Sequence, residues 1–184
     1  MVRVISGKAR GAHLRTPKGM STRPTLDRVK ESLFNILGDV AQAAVLDLYA
    51  GSGQLGIEAL SRGAKFAVFV ESDARAAAVI RANLAHTKLE AVAAVIRAQV
   101  PVNPERLAPW APFDLVFMDP PYGTGQVAKA LTWLDEGPLL APGARVVVER
   151  VSVEEIPGEL KNLKSFREKV YGDTVLNLFV RAQS

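Results

Sequence analysis

The sequence predicts an α/β fold: a mostly parallel, seven-stranded sheet with helices on both faces, a C-terminal antiparallel hairpin and a small basic N-terminal hairpin extension. Three observations carry this. Short apolar runs alternate with helix-period segments from residue 44 to residue 150, as in strands buried on both faces. A glycine turn, Gly51-Ser52-Gly53, joins the first of those runs to the helix after it. The tail leaves the alternation, with Phe166 to Tyr171 and Val175 to Arg181 flanking Gly172-Asp173-Thr174, a hairpin signature.

In chain order, residues 2–6 and 12–15 predict two short strands around Gly7 to Gly11. Arg23-Pro24-Thr25 introduces a helix with Thr25 as its N-cap; Val29, Leu33, Phe34, Ile36 and Leu37 give it an apolar face up to Gly38. Strands are expected at 44–49, 66–71, 92–97, 113–118 and 144–150, and helices at 53–62, 73–87 and 125–136. Gly63 and Pro138 supply stop signals, and the proline-rich stretch 101–112 reads as a loop with at most one helical turn. Residues 1–24 are expected to form the basic extension and 25–184 the main domain.

A chain of 184 residues, 48% apolar, can bury a sizeable core as one compact unit. It has no cysteine, which excludes disulfides and thiolate zinc sites, and His13 and His86 lie too far apart in sequence to suggest a metal cluster. No apolar run approaches the roughly 18 residues of a membrane span, and no apolar stretch follows Arg3, Lys8 and Arg10 as in a signal peptide. The expectation is a soluble, cytoplasmic, metal-free monomer.

Charge is concentrated at the start. Residues 1–31 hold eight basic groups (Arg3, Lys8, Arg10, Arg15, Lys18, Arg23, Arg28, Lys30) against two acidic ones, Asp27 and Glu31, whereas the rest of the chain is slightly acidic. A basic head on a near-neutral body is the footprint of a nucleic-acid contact; a merely solvated basic face is the alternative. Arg3, Lys8, Arg10, His13, Arg15, Arg23 and Arg28 are the candidate RNA-binding residues. Arg23 reads equally as a structural partner of Asp27 or Glu31.

Two motifs carry the chemistry. Asp119-Pro120-Pro121-Tyr122 directly follows the apolar run Phe113 to Met118. A carboxylate, two rigid prolines and an aromatic ring at a strand end suit chemistry on a planar amino group. The acid and a nearby carbonyl accept its N–H bonds while the ring stacks. Asp-Pro alone would read as a turn. The second motif is Asp47-Leu48-Tyr49-Ala50-Gly51-Ser52-Gly53, whose glycines extend to Gly56 in a GxGxxG pattern that also fits a dinucleotide. Two residues favour S-adenosyl-L-methionine instead. Asp47 would repel a pyrophosphate but attract a cationic amino group, and Glu71, closing the next strand, can accept bonds from both ribose hydroxyls. Ser72 and Asp73 fall beside the adenine edge, although Asp73 reads equally as a helix N-cap, and Gln99 falls beside the adenine ring.

With those residues in view, the chain resembles, over nearly its whole length, the bacterial 16S ribosomal RNA guanine-N2 methyltransferases that modify a guanine in the helix 31 loop. The likeness runs through Arg3-Val4-Ile5-Ser6-Gly7-Lys8-Ala9-Arg10-Gly11, Arg23-Pro24-Thr25, Glu31-Ser32-Leu33-Phe34-Asn35, Asp47 to Gly63, Asp119 to Tyr122 and Tyr171-Gly172-Asp173-Thr174. It implies a Rossmann-like class I S-adenosylmethionine-dependent methyltransferase fold. It also implies that Asp119, Pro120, Pro121 and Tyr122 surround the target amino group. Asp47, Tyr49, Ala50, Gly51, Ser52, Gly53 and Glu71 would hold the cofactor, and the head would help engage RNA. The implied substrate is 16S rRNA in an assembled or partly assembled small subunit, with ribosomal proteins nearby. Tyr49 and Gln54 depart modestly from the family's glycine motif, and the acid or asparagine often found near Gln99 is missing.

Residue chemistry alone leaves rivals. An adenine-N6 methyltransferase uses the same four-residue motif, although a DNA-directed one usually carries a larger recognition domain. A nicotinamide oxidoreductase fits the glycines but not Asp47 or the Asp-Pro-Pro-Tyr turn. A non-enzymatic RNA-binding assembly protein has no need of either motif.

Overall fold

The structure, a computed structural model, describes residues 2–17 and 25–183, and the side chains of Thr25 and Leu26 are not among those described. Lys18, Arg23 and Pro24 therefore lie outside the described residues, as does any capping by the Thr25 side chain. The elements are β1 (Val2–Arg3), β2 (His13–Leu14), α1 (Thr25–Leu37), β3 (Ala44–Leu48), α2 (Gln54–Ser61), β4 (Phe66–Glu71), α3 (Ala74–Thr87), β5 (Ala93–Arg97), β6 (Phe113–Met118), α4 (Gln126–Glu136), β7 (Leu140–Val151), β8 (Leu163–Tyr171) and β9 (Thr174–Arg181). Short 3₁₀ turns at Glu90–Val92 and Pro104–Arg106 complete them.

Seven strands form one sheet in the order β5-β4-β3-β6-β7-β9-β8. β3 to β7 are parallel, and β9 runs antiparallel to both β7 and β8. Alternate strand residues pack on opposite faces. Val45, Phe69, Phe117 and Val147 meet α1, α2, α3 and the head on one side. Leu46, Val68, Met118 and Val148 meet α4 and the 100–113 segment on the other. The strand order reverses between β3 and β6, which opens a crevice at their C-terminal ends, the usual ligand position in such sheets. Among the described residues, no helix is long and apolar enough to cross a membrane, and no group of three or more potential ligands could hold a metal ion.

Besides β8, which starts at Leu163 rather than Phe166, two elements differ from expectation. β7 begins at Leu140 rather than 144, because its register against β6 jumps from Phe113↔Leu140 to Leu115↔Arg145. The extra residues, including Pro142 and Gly143, form the bulge that hides the strand's start from sequence pattern. The head hairpin is regular for only two residues per strand, Val2↔Leu14 and Arg3↔His13; beyond them it closes by its own turn bonds, such as Val4 N–H to the Ala12 carbonyl and Gly11 N–H to the Val4 carbonyl, and by bonds to the main domain.

That docking centres on α2. Glu58, fully buried, accepts from the backbone N–H of Ile5 (2.8 Å) and Ser6 (3.0 Å). Its carboxylate also meets Lys30 Nζ at 3.4 Å and Arg62 Nε at 2.8 Å. Ser61 Oγ donates to the Ser6 carbonyl and accepts from Ala9 N–H, while the Ser61 carbonyl accepts from Lys8 N–H. Gly7 packs so closely that a Cβ there would fall 1.8 Å from the Ser61 carbonyl oxygen. Lys30, counted above with the basic head, is 3% exposed and also donates to the Arg3 carbonyl. Burial lowers its pKa, opposed by Glu58, and the ammonium is a structural cation rather than an RNA contact.

Candidate active site

The site forms where β3, β4, β5 and β6 end. After β3 the chain turns through Tyr49, held at φ 57° in the left-handed region, which costs an L residue about 1–2 kcal/mol. Such strain gathers where the backbone must be aimed at a ligand. Gly51 and Gly53 also have positive φ, and Gly53 caps α2 in the left-handed conformation. Gly56, third of the glycines, serves packing: a Cβ there would lie 2.4 Å from the Phe69 ring.

A cavity of about 420 Å³ opens beside this turn, within the size range of small-molecule sites. Tyr49, Glu71, Ser72, Gln99, Asp119 and Pro121, all named from sequence, line it. Val70, Ala98, Val100, Thr124 and Gln126 complete the wall. Gln126, at the start of α4, gives no sequence signal; it accepts from the Tyr49 hydroxyl at 3.3 Å. Burial pushes the Tyr49 phenol up to about 12, so it remains a donor at neutral pH.

The other named residues stand around the cavity rather than on its wall. Asp47, 4% exposed, accepts from Gly56 N–H at 2.9 Å and so braces the glycine turn from beneath. Burial pushes its carboxyl up to about 8; the Gly56 bond opposes the rise and Glu71 adds to it. Ala50, Gly51, Ser52 and Gly53 form the turn itself, and the Ser52 carbonyl is held by Asn83 at 2.9 Å. Glu71 spans the site's edge: one oxygen accepts from Gly51 N–H (2.8 Å), the other from Asp73 N–H (2.9 Å). Each oxygen retains a lone pair for a ligand hydroxyl. Asp73 caps α3, accepting from Arg75 and Ala76 N–H.

At the end of β6, Asp119 is partly exposed to the cavity, yet its carboxyl is raised well above the usual range, first by burial and then by Glu149, Asp47 and Glu154. Pro120 is buried and Tyr122 is 53% exposed. The turn beyond is tied down, since Thr124 donates to the Pro121 carbonyl and Gly123 N–H to Glu154. Two acids, Glu71 and Asp119, stand on the cavity wall, and Glu149, Asp47 and Glu154 add negative potential at Asp119, a field suited to a cationic ligand.

Of the RNA candidates, Arg3, Lys8, Arg10, His13, Arg15 and Arg28 are all exposed. Arg3 pairs with Asp27 at 3.0 Å. Sequence reading missed Asn83, fully enclosed in α3, whose amide bonds both to the Arg15 backbone and to Ser52, joining head to glycine turn.

The family model described as "Conserved hypothetical protein 95" matches residues 2–180. The Bacillus subtilis (strain 168) protein YlbH is 38% identical over 97% of this chain and 98% of its own. Ribosomal RNA small subunit methyltransferase D of Escherichia coli (strain K12) is 37% identical over 98% of this chain and 90% of its own. The solved structure of the Escherichia coli protein yhhF superposes with a TM-score of 0.82 at 34% identity, covering 100% of this chain and 99% of that one. Matched over residues 2–180 and 37–38% identical to these two relatives over nearly all of its length, the chain belongs to the Conserved hypothetical protein 95 family, which includes ribosomal RNA small subunit methyltransferase D.

Proposed function

We propose that this protein transfers a methyl group from S-adenosyl-L-methionine to the exocyclic N2 of a guanine in the helix 31 loop of 16S rRNA. It would act as a cytoplasmic monomer on an assembled or partly assembled small subunit, with ribosomal proteins nearby. The observation that carries this is Asp119, which stands on the wall of the same cavity as Glu71 and Gln99, so that a cofactor site and an amino-group site meet.

The residues fit that cofactor. Glu71 would take the ribose hydroxyls, Ser72 and Gln99 the adenine end, and the turn from Tyr49 to Gly53 the backbone approach, with Asp47 beneath favouring the cationic amino group. When bound, S-adenosylmethionine supplies an electrophilic methyl group. An aromatic amino nitrogen is a poor nucleophile because its lone pair is delocalised into the ring. Asp119 and the Pro120 carbonyl would accept its N–H bonds and aim the lone pair, while Tyr122 stacks on a base extruded from its neighbours. Pro120 and Pro121 hold this turn still. No strong base is needed, because the amino nitrogen turns acidic as it gains the methyl.

The direct test is methyl transfer from labelled S-adenosylmethionine to small subunits lacking the modification, with the nucleoside identified by mass spectrometry. N2-methylguanosine in the helix 31 loop is expected; N6-methyladenosine would overturn the guanine assignment. Glu71→Ala should weaken cofactor binding by about 1.5–3 kcal/mol, the scale of bonds to a charged group, as read by calorimetry. An unchanged dissociation constant would remove Glu71 from the site.

Residues 1–24 serve in this reading as the RNA-engaging extension, through Arg3, Lys8, Arg10, His13, Arg15 and Arg23, with Arg28 beside them. Neutralising Arg10, Arg15 and Arg23 together should flatten the salt dependence of RNA binding, since each phosphate contact contributes up to about 0.9 to the log–log slope. A slope equal to wild type would return the head to the solvated-face reading.

A further inference from the structure

The end of β7 carries a residue that the motifs do not include. β6 and β7 are parallel, with Met118 opposite Val148, so the next residues, Asp119 and Glu149, stand side by side at the sheet's C-terminal edge. Phe117 and Val147, two residues earlier on each strand, both pack toward α1. By strand alternation Asp119 and Glu149 share that face, on which the head also sits.

Neighbouring acids at this edge have structural tasks. Asp47 holds Gly56, Glu71 holds Gly51 and Asp73, and Glu154 holds Gly123. Arg150, next in sequence, is taken by Asn177, Glu168 and the carbonyls of Val151, Ser152 and Glu154. Among the described residues, no hydrogen bond or ion pair engages the carboxylate of Asp119 or of Glu149. Their oxygens are therefore open to solvent rather than sealed in the core, and two adjacent half-buried acids repel each other, so their acceptors suit a ligand that brings donors.

We propose that Glu149 is the positioning residue that selects guanine, accepting the ring N1–H while Asp119 accepts the amino group beside it. This rests on the guanine-N2 reading above and extends it. Guanine presents N1–H and N2–H in a row, two donors for two carboxylates. Adenine presents its amino group beside an N1 lone pair, which a carboxylate repels. 2-Aminopurine separates the two requirements, because it keeps the 2-amino group but has an acceptor at N1.

The test compares kcat/KM on reconstituted small subunits carrying guanosine or 2-aminopurine riboside at the target position, for wild type and Glu149→Gln. Wild type should favour guanosine by at least about 100-fold. Glu149→Gln should lower the guanosine rate by about 10- to 100-fold and narrow the preference by at least tenfold, because its amide can donate to N1. A second readout is the acid limb of the pH profile. Ionised Asp119 accepts N–H bonds much more strongly than its protonated acid; its carboxyl is raised first by burial and then by Glu149, Asp47 and Glu154, and burial raises Glu149 as well. Activity is therefore lost as pH falls through that raised value, and removing the Glu149 charge should move the limb to lower pH. S-Adenosylhomocysteine affinity should stay within about twofold of wild type.

An unaltered preference and acid limb in Glu149→Gln, with wild type still making N2-methylguanosine, would overturn this role and leave the guanine-N2 reading intact. Joint loss of activity and S-adenosylhomocysteine affinity would mark Glu149 as structural and likewise overturn it. Wild type methylating only adenine at N6 would overturn both.

Discussion

Replacing Asp119 with alanine should reduce methyl transfer by about 1000-fold or more while cofactor affinity stays within a few-fold of wild type. The asymmetry follows from its position. Asp119 stands where the cavity meets the α1 face, beyond the Glu71 edge assigned to the ribose. Removing a preorganised polar group aimed at the reacting atoms typically costs about 100- to 1000-fold, and alanine here removes charge and acceptor together. Asp119→Asn keeps one acceptor oxygen and should fall between. Single-turnover transfer to small subunits, paired with calorimetry of S-adenosylhomocysteine, separates the two effects. Full turnover by the alanine variant would refute the amino-group role.

The largest stability loss should come from Glu58→Ala. This change strands the buried Lys30 ammonium, releases Arg62 and leaves the N–H groups of Ile5 and Ser6 without an acceptor. Breaking a buried ion pair from one side costs about 3–5 kcal/mol, and in a domain of this size that lowers Tm by roughly 10 °C. Hydrogen exchange at Ile5 and Ser6 should rise more than at β3, since the head loses its anchor while the sheet does not. A Tm within about 2 °C of wild type would show that the head is held by its apolar residues Val2, Val4 and Leu14 instead.

The sheet was legible in the sequence because buried parallel strands write themselves as apolar runs. Phe66–Glu71 and Phe113–Met118 fall where the runs place them. The glycine turn was legible for a similar reason, since strand, glycines and helix are contiguous in the chain. What sequence could not supply were pairings between distant residues. Nothing local to Lys30 distinguishes it from Arg28, yet one is enclosed with Glu58 and the other faces solvent. Asn83 reads as an ordinary polar helix residue, and Gln126 as the first residue of another helix. Asp47 was named for its place before the glycines, but its bond to Gly56 puts it under the turn rather than on the cavity wall. Glu149 lies after an unremarkable valine run; only the register of β7 against β6 brings it to Asp119.

α2 begins at the glycine turn and ends at Ser61, beneath the head, a span of about 12 Å for its eight residues. The same short rod thus touches the glycine turn at one end and the basic hairpin at the other, and Asn83 ties them a second time. For a head that grips phosphates, this makes the protein a fixed caliper. The distance from gripped backbone to donated methyl would be set by the length of α2 and by the hydrogen bonds that dock the head on it. A nucleotide would then be chosen partly by how far it lies along the RNA from the clamped phosphates. Lengthening α2 by one turn should displace the preferred position rather than merely weaken binding.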